Sequence, residues 1–244
     1  MAKAKWTTVE YEAPAQRPPL VGDELAYVVP MAVFLGFNFL ASQWPSQYAL
    51  FYAVKTFVVA AMLVLFWRQF TRIRWNAWWL GLIVGVVGIA QWVPMQLWLQ
   101  DVTQGMWIGR FFKPPDDPFN PFATFDGNPS MLWSFVAVRI AGAVLVVPVM
   151  EELFWRDWLW RTILAPNDFK LAKVGEWDWK AFAVVSLLFA TVHGNWWLTA
   201  IIWAAMVGAL LVYTKSLGAC ILAHATTNLL LAGYVLYTKN WAFW

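Results

Sequence analysis

Two histidines are the only imidazoles in the 244-residue chain, and both sit in apolar surroundings. His193 closes the run FATVH and His224 opens HATTN. Ionisable groups are costly in such an environment and are functional candidates by default. A third element is EELFWR, residues 151–156. Glu152 and Arg156 stand at i,i+4 and can pair along one helix face, while Glu151 is rotated about 100° away and faces something else. His224 and Asn228 also stand at i,i+4, as do Phe189 and His193, so each histidine has a companion on its own face. A carboxylate beside a histidine in a low-dielectric pocket suits a general base acting on water. A second histidine and an asparagine amide suit stabilisation of an oxyanion. Together Glu151, His193, His224 and Asn228 support hydrolysis of an amide. Glu151, His193 and His224 could equally hold a divalent metal such as zinc with an open water position, although the zinc signature H-E-x-x-H is absent. Cys220, the only cysteine, lies one turn before His224. A Cys–His pair can be nucleophilic, but on one helix of an apolar bundle the thiol reads as packing.

The elements that must position these groups are membrane helices. The chain is 61% hydrophobic and 13% charged, with 20 Trp, against about 45–50% and 25% in soluble domains. This composition excludes an ordinary soluble domain, a disordered chain and a disulfide-stapled one, and predicts an all-α polytopic bundle in the lipid bilayer. The net charge of +3 reads as Lys/Arg-marked cytoplasmic loops, not as a nucleic-acid surface. The polar, Pro-rich residues 1–23 lack the apolar core of a signal peptide. Residues 24–244 read as one membrane domain. Seven helices are expected, over 24–42, 49–67, 75–99, from 131 onward, 180–193, 196–213 and 216–237. The stretch 100–129, with five prolines, reads as a solvated loop that lids one end. Lys3, Lys5, Arg17, Arg68, Arg72, Arg74, Arg156, Arg161, Lys170, Lys173, Lys180 and Lys215 all fall on one side of this threading. Only Arg110, Lys113 and Lys239 fall on the other, which makes the N-terminus cytoplasmic. Gly81, Gly85 and Gly88, and Ala204 with Gly208, suit close helix approach. Lys55 is expected to snorkel, and Arg139 either to bind a substrate carboxylate or, the favoured reading, to pair with Gln91.

Depth tests whether the polar groups can meet. At about 1.5 Å per residue, Glu151 and His193 each lie roughly 20 Å from the cytoplasmic end of their helix, and His224 roughly 12 Å. They meet only if the fourth helix continues through the glutamates to residue 164, a helix of about 50 Å that must tilt or break, with Pro148 the obvious place.

E-E-x-x-x-R, F-x-x-x-H and H-x-x-x-N, in that order on successive apolar helices, resemble the CAAX protease and bacteriocin-processing (CPBP, or Abi) family of intramembrane peptidases. That family includes the type II CAAX prenyl endopeptidases. The resemblance covers about residues 131–231, inside an expected core of 131–238, whereas helices within 24–99 carry no matching motif. It implies that Glu151 is the base that activates water with His193, that His224 and Asn228 form the oxyanion site, and that Glu152 and Arg156 hold the pocket. The stretch VPVMEELFWR resembles the branch labelled CAAX prenyl protease-related, found beside protein-sorting systems. The implied substrate is a membrane-associated peptide or protein, and the implied location a prokaryotic plasma membrane. Ligand count favours a Glu-activated water over an essential metal, because three ligands would leave only Glu152, already matched to Arg156, as base. Two readings of other classes compete: a non-catalytic immunity or scaffold protein that binds peptide, and a small proton-coupled transporter. A transporter more often shows inverted repeats, which the sequence lacks.

Overall fold

The computed structural model describes residues 22–244. Lys3, Lys5, Arg17 and the rest of the expected N-terminal segment up to residue 21 lie outside the described residues. The described chain is an all-helical bundle: α1 (Asp23–Gln43), α2 (Tyr48–Leu65), α3 (Trp78–Val102), α4 (Pro129–Leu164), α5 (Trp179–Thr191), α6 (Trp197–Thr214) and α7 (Leu217–Thr238). Six of these are long and apolar enough to cross a membrane, and α5 is a shorter apolar helix. The lipid-facing surfaces carry large apolar side chains such as Phe57, Val64, Leu145 and Leu187, each more than half exposed. A surface of that kind is stable only against hydrocarbon.

Turn chemistry sets the boundaries. Asp23 and Glu24 occupy the first turn of α1, where carboxylates complement the helix dipole. The side chains of Asn128, Asp178 and Ser216 accept backbone N–H bonds at the starts of α4, α5 and α7, satisfying donors that a helix start leaves free. The loop before α4 is not wholly irregular. It contains a 3₁₀ turn, Trp107–Phe111, and a single helical turn, Pro121–Thr124, capped by Asn120.

The threading alternates as the basic residues predict. At one end, Lys170 pairs with Asp23, Ser216 Oγ donates to the Arg74 carbonyl, and Asn76 donates to the Thr214 carbonyl. At the other end, Asn195 donates to the Lys113 carbonyl, and Phe119 packs on Tyr48 with ring centroids 4.5 Å apart. The stretch after α3 therefore does cover that end.

Helix α4 passes without interruption through the glutamates, and it does so by widening. π-helical turns occupy Gly142–Val146 and Leu153–Leu159. Pro148 lacks an N–H and its ring crowds the carbonyl four residues earlier. The first wide turn, just before it, absorbs that conflict in place of a sharp kink. Gly142 there lies against α2: a Cβ would stand 2.7 Å from Thr56 Oγ1.

Helix α3 packs on α7 along the Gly81–Gly85–Gly88 stripe. A Cβ on Gly81 would stand 2.4 Å from the Ala219 carbonyl oxygen, and one on Gly85 2.7 Å from that of Ala223. Backbones this close let Thr227 Oγ1 donate across the seam to the Gly85 carbonyl at 3.0 Å. Gly208 performs the same service between α6 and α5, 3.1 Å from the Phe182 ring by the same measure.

Candidate functional site

Helix α4 supplies Glu151, Glu152 and Arg156, all buried. Arg156 Nη1 donates to Glu152 Oε1 at 3.2 Å, across one turn. The same oxygen lies 2.9 Å from His224 Nδ1 on α7. A carboxylate only accepts, so Nδ1 carries a proton and donates. One oxygen thus joins Arg156 and His224, contributed by α4 and α7. The i,i+4 spacing indicated the first contact. The second links residues 72 apart in sequence and left no local trace.

His193, at the C-terminal end of α5, lies 2.7 Å from the Phe189 carbonyl through Nδ1. That ring nitrogen donates, which leaves Nε2 with its lone pair in the neutral ring. The His193 ring stacks on Phe189 with centroids 4.3 Å apart, and Phe189 stacks on Trp203 at 5.3 Å. Trp203 meets His224 edge to face at 4.7 Å, and Trp92 meets His193 at 5.7 Å. The Arg156 guanidinium covers the Phe189 and Trp203 rings at 4.7 and 5.5 Å. The two histidines therefore border one aromatic wall. Trp203 holds its place by donating from Nε1 to Thr227 Oγ1 at 3.3 Å. Nothing local in the sequence distinguishes Trp203 and Trp92 among 20 tryptophans.

Glu151 forms no hydrogen bond with His193. It lies within electrostatic reach of His224, Arg156 and Lys55. Its Oε2 is buried without a protein partner, as are Glu152 Oε2, Arg156 Nε and Nη2, and Trp155 Nε1. Buried polar atoms are bonded in the great majority of cases, so this cluster marks a place built to receive polar groups.

Asn228 lies one turn beyond His224 and looks elsewhere. Its Nδ2 donates to the Ala143 carbonyl at 2.7 Å, within the first wide turn of α4. Asn228 lines a cavity of about 170 Å³ with Tyr52, Lys55 and Arg139, and none of Glu151, His193 and His224 takes part in that lining. Asn228 thus faces a compartment that the other three expected residues do not line.

Three further expectations change. Lys55 does not snorkel. It is 6% exposed, and its Nζ donates to Asn38 Oδ1 at 2.6 Å. Arg139 does not meet Gln91, whose amide donates to the Thr199 carbonyl; its guanidinium lies 4.3 Å from the Tyr52 ring centroid. Arg161 is not a loop cation. It pairs with buried Asp157, which also accepts from the Tyr27 hydroxyl at 3.1 Å. Cys220 is fully buried against the Val207 carbonyl, as a packing residue would be.

Among the described residues, no three His, Cys, Asp or Glu side chains gather closely enough to hold a metal ion. The alternative ligand set Glu151, His193 and His224 is not assembled here, and His224 Nδ1 is committed to Glu152.

No curated protein and no solved structure matches the chain. Residues 132–230 match the family model described as type II CAAX prenyl endopeptidase Rce1-like. The match spans all three motifs and agrees with the resemblance drawn from the motifs alone: over residues 132–230, this multi-pass membrane protein is similar to the type II CAAX prenyl endopeptidases.

Proposed function

We propose that the protein is an intramembrane endopeptidase that hydrolyses a peptide bond of a membrane-associated peptide or protein. The observation that carries this reading is the Arg156–Glu152–His224 chain of contacts beside the unpartnered carboxylate of Glu151. Two adjacent carboxylates in one low-dielectric site take different tasks when their partners differ. Glu152 has a guanidinium and an imidazole and acts as a fixed counter-ion. Glu151 has neither as a hydrogen-bond partner and is available to water.

In the reaction, Glu151 removes a proton from water as the water oxygen attacks the peptide carbonyl carbon. His193 accepts the other water hydrogen at Nε2, the nitrogen not used by the Phe189 carbonyl. The carbonyl oxygen becomes an oxyanion, which His224 stabilises from Nε2–H. In that role the ring carries both protons, with Glu152 as counter-ion at Nδ1. The second amide hydrogen of Asn228 adds a donor as substrate spans the two compartments. Collapse breaks the C–N bond, and Glu151 passes its proton to the leaving amine. Glu152 and Arg156 are positioning residues in this scheme. No step requires a bound metal.

The test is a comparison of membrane peptides from cells carrying the wild type and Glu151→Ala, followed by cleavage with purified protein. Fragments that appear only with the wild type, and a Glu151→Gln protein that folds but does not cleave, are expected. Full cleavage by Glu151→Gln would refute the assignment. Activity that vanishes on chelation and returns with stoichiometric zinc would overturn the metal-free reaction.

A further inference from the structure

The cavity at Asn228 holds two cations that the reaction leaves without work. Lys55 reaches it from α2 and Arg139 from α4. The rest of the lining is mainly apolar, including Phe34, Ile140, Val147 and Trp244. Among the described residues, neither cation has a carboxylate within ion-pair distance. Lys55 Nζ has the neutral Asn38 amide and lies over the Phe34 and Tyr52 rings at 4.3 and 4.4 Å. Arg139 is sandwiched by Tyr52 and Trp244, with its Nε buried and unpartnered. Buried cations are normally paired, and breaking such a pair is strongly unfavourable.

The surroundings do not supply the missing charge. Of the carboxylates, Glu151 lies within electrostatic reach of Lys55 but also faces Arg156 and His224, and Glu152 is already taken by Arg156 and His224. Among the described residues, neither Lys55 nor Arg139 has a carboxylate of its own. Tyr52 fixes the spacing of the two cations, since its hydroxyl donates to the Arg139 carbonyl at 3.1 Å while its ring lies against both.

Depth selects the kind of anion. Lys55 is about 10 Å along α2 from Tyr48, and Arg139 about 15 Å along α4 from Pro129. A hydrocarbon core is about 30 Å thick, so the pair lies well inside one leaflet, below the level of lipid phosphates. We infer that Lys55 and Arg139 form a binding subsite for a carboxylate carried by the substrate peptide, seated one compartment away from Glu151 and the histidines. Arg139 presents a planar fork that fits a carboxylate, and Lys55 adds a point charge. This subsite rests on the peptidase reading for its purpose, and its binding is measurable without cleavage.

The experiment uses the full chain in detergent and three probes: lauroyl-Ala-Leu with a free carboxylate, its carboxamide, and dodecyl phosphate. Binding is read as the dissociation constant from ligand-induced thermal stabilisation. The wild type is expected to bind the free acid at least tenfold more tightly than the carboxamide. Lys55→Met and Arg139→Gln each abolish that preference, Arg139→Lys retains part of it should the glutamine variant fold poorly, and Glu151→Gln leaves it intact. Equal binding of acid and carboxamide, or an undiminished preference in Lys55→Met, overturns the inference. Tighter binding of dodecyl phosphate than of the acid also overturns it, by making the pocket a lipid-phosphate site. Loss of cleavage with the preference intact speaks only to the catalytic assignment.

Discussion

Arg156→Met tests whether the contacts around Glu152 behave as one unit. Arg156 is fully buried, pairs with Glu152 at 3.2 Å and covers two aromatic rings. Removing it leaves Glu152 a buried carboxylate with only His224, and breaking a buried pair costs about 3–5 kcal/mol. Loss of the desolvated cation–π contacts adds up to about 2 kcal/mol, which the methionine partly recovers by filling the space. A loss of about 4 kcal/mol is expected, roughly three orders of magnitude in the unfolding equilibrium at about 1.4 kcal/mol per decade. Glu152→Gln should cost about 3 kcal/mol, since Arg156 is then the orphaned charge while the amide oxygen still accepts. The double variant removes both charges, and replacing a buried pair as a whole is often close to neutral. It should therefore be no less stable than the worse single variant, a coupling of at least about 3 kcal/mol. The assay is SDS-titrated unfolding of the purified protein in mixed micelles, followed by near-UV tryptophan signal. Single effects that simply add, within about 0.5 kcal/mol, would refute the idea of a shared charge network.

Glu151→Gln should lower the turnover number by at least about 10²-fold while leaving unfolding unchanged or slightly more resistant, because it removes a carboxylate oxygen with no protein partner; a parallel loss of stability would recast Glu151 as structural. Asn228→Ala should cost about 1–3 kcal/mol by orphaning the Ala143 carbonyl, with a lower turnover number; unchanged kinetics at reduced stability would remove Asn228 from the oxyanion role. Gly88→Ala should destabilise by about 1–3 kcal/mol through overpacking, since its Cβ would stand 2.6 Å from Thr227 Oγ1 and 2.9 Å from Trp203 Nε1. Gly36→Ala, with nothing within 4 Å, is the control that should melt like the wild type, and equal melting of both variants would contradict the tight α3–α7 seam.

Periodicity and composition made the helices legible, and spacing on single helices made the local pairs legible. Glu152 with Arg156 and Phe189 with His193 are contacts within one turn, and they stand where i,i+4 spacing puts them. Asp157 with Arg161 has the same spacing directly after the first pair, and was readable by the same rule. Contacts between helices were not legible. The partner of His224, the role of Trp203 and the turning of Asn228 toward Ala143 depend on how α4 widens near Pro148 and again after Glu152. A wide turn shifts every later side chain around the axis, and no residue type announces it. Lys55 looked close enough to a helix end to reach water, yet the neighbouring α1 supplies Asn38 and encloses it.

The brevity of α5 bears on how water would reach the proposed hydrolytic site. Its 13 residues span about 20 Å, roughly 10 Å less than the hydrocarbon they face. Val184, Leu187 and Leu188 on its outer side are exposed, so the mismatch meets lipid directly and not a neighbouring helix. Bilayers adjust to a short apolar segment by thinning beside it. Such thinning would bring the aqueous boundary down toward the end of α5, which is where His193 sits. A short helix would thus give the water of the proposed reaction a shallow approach on the membrane side of the bundle.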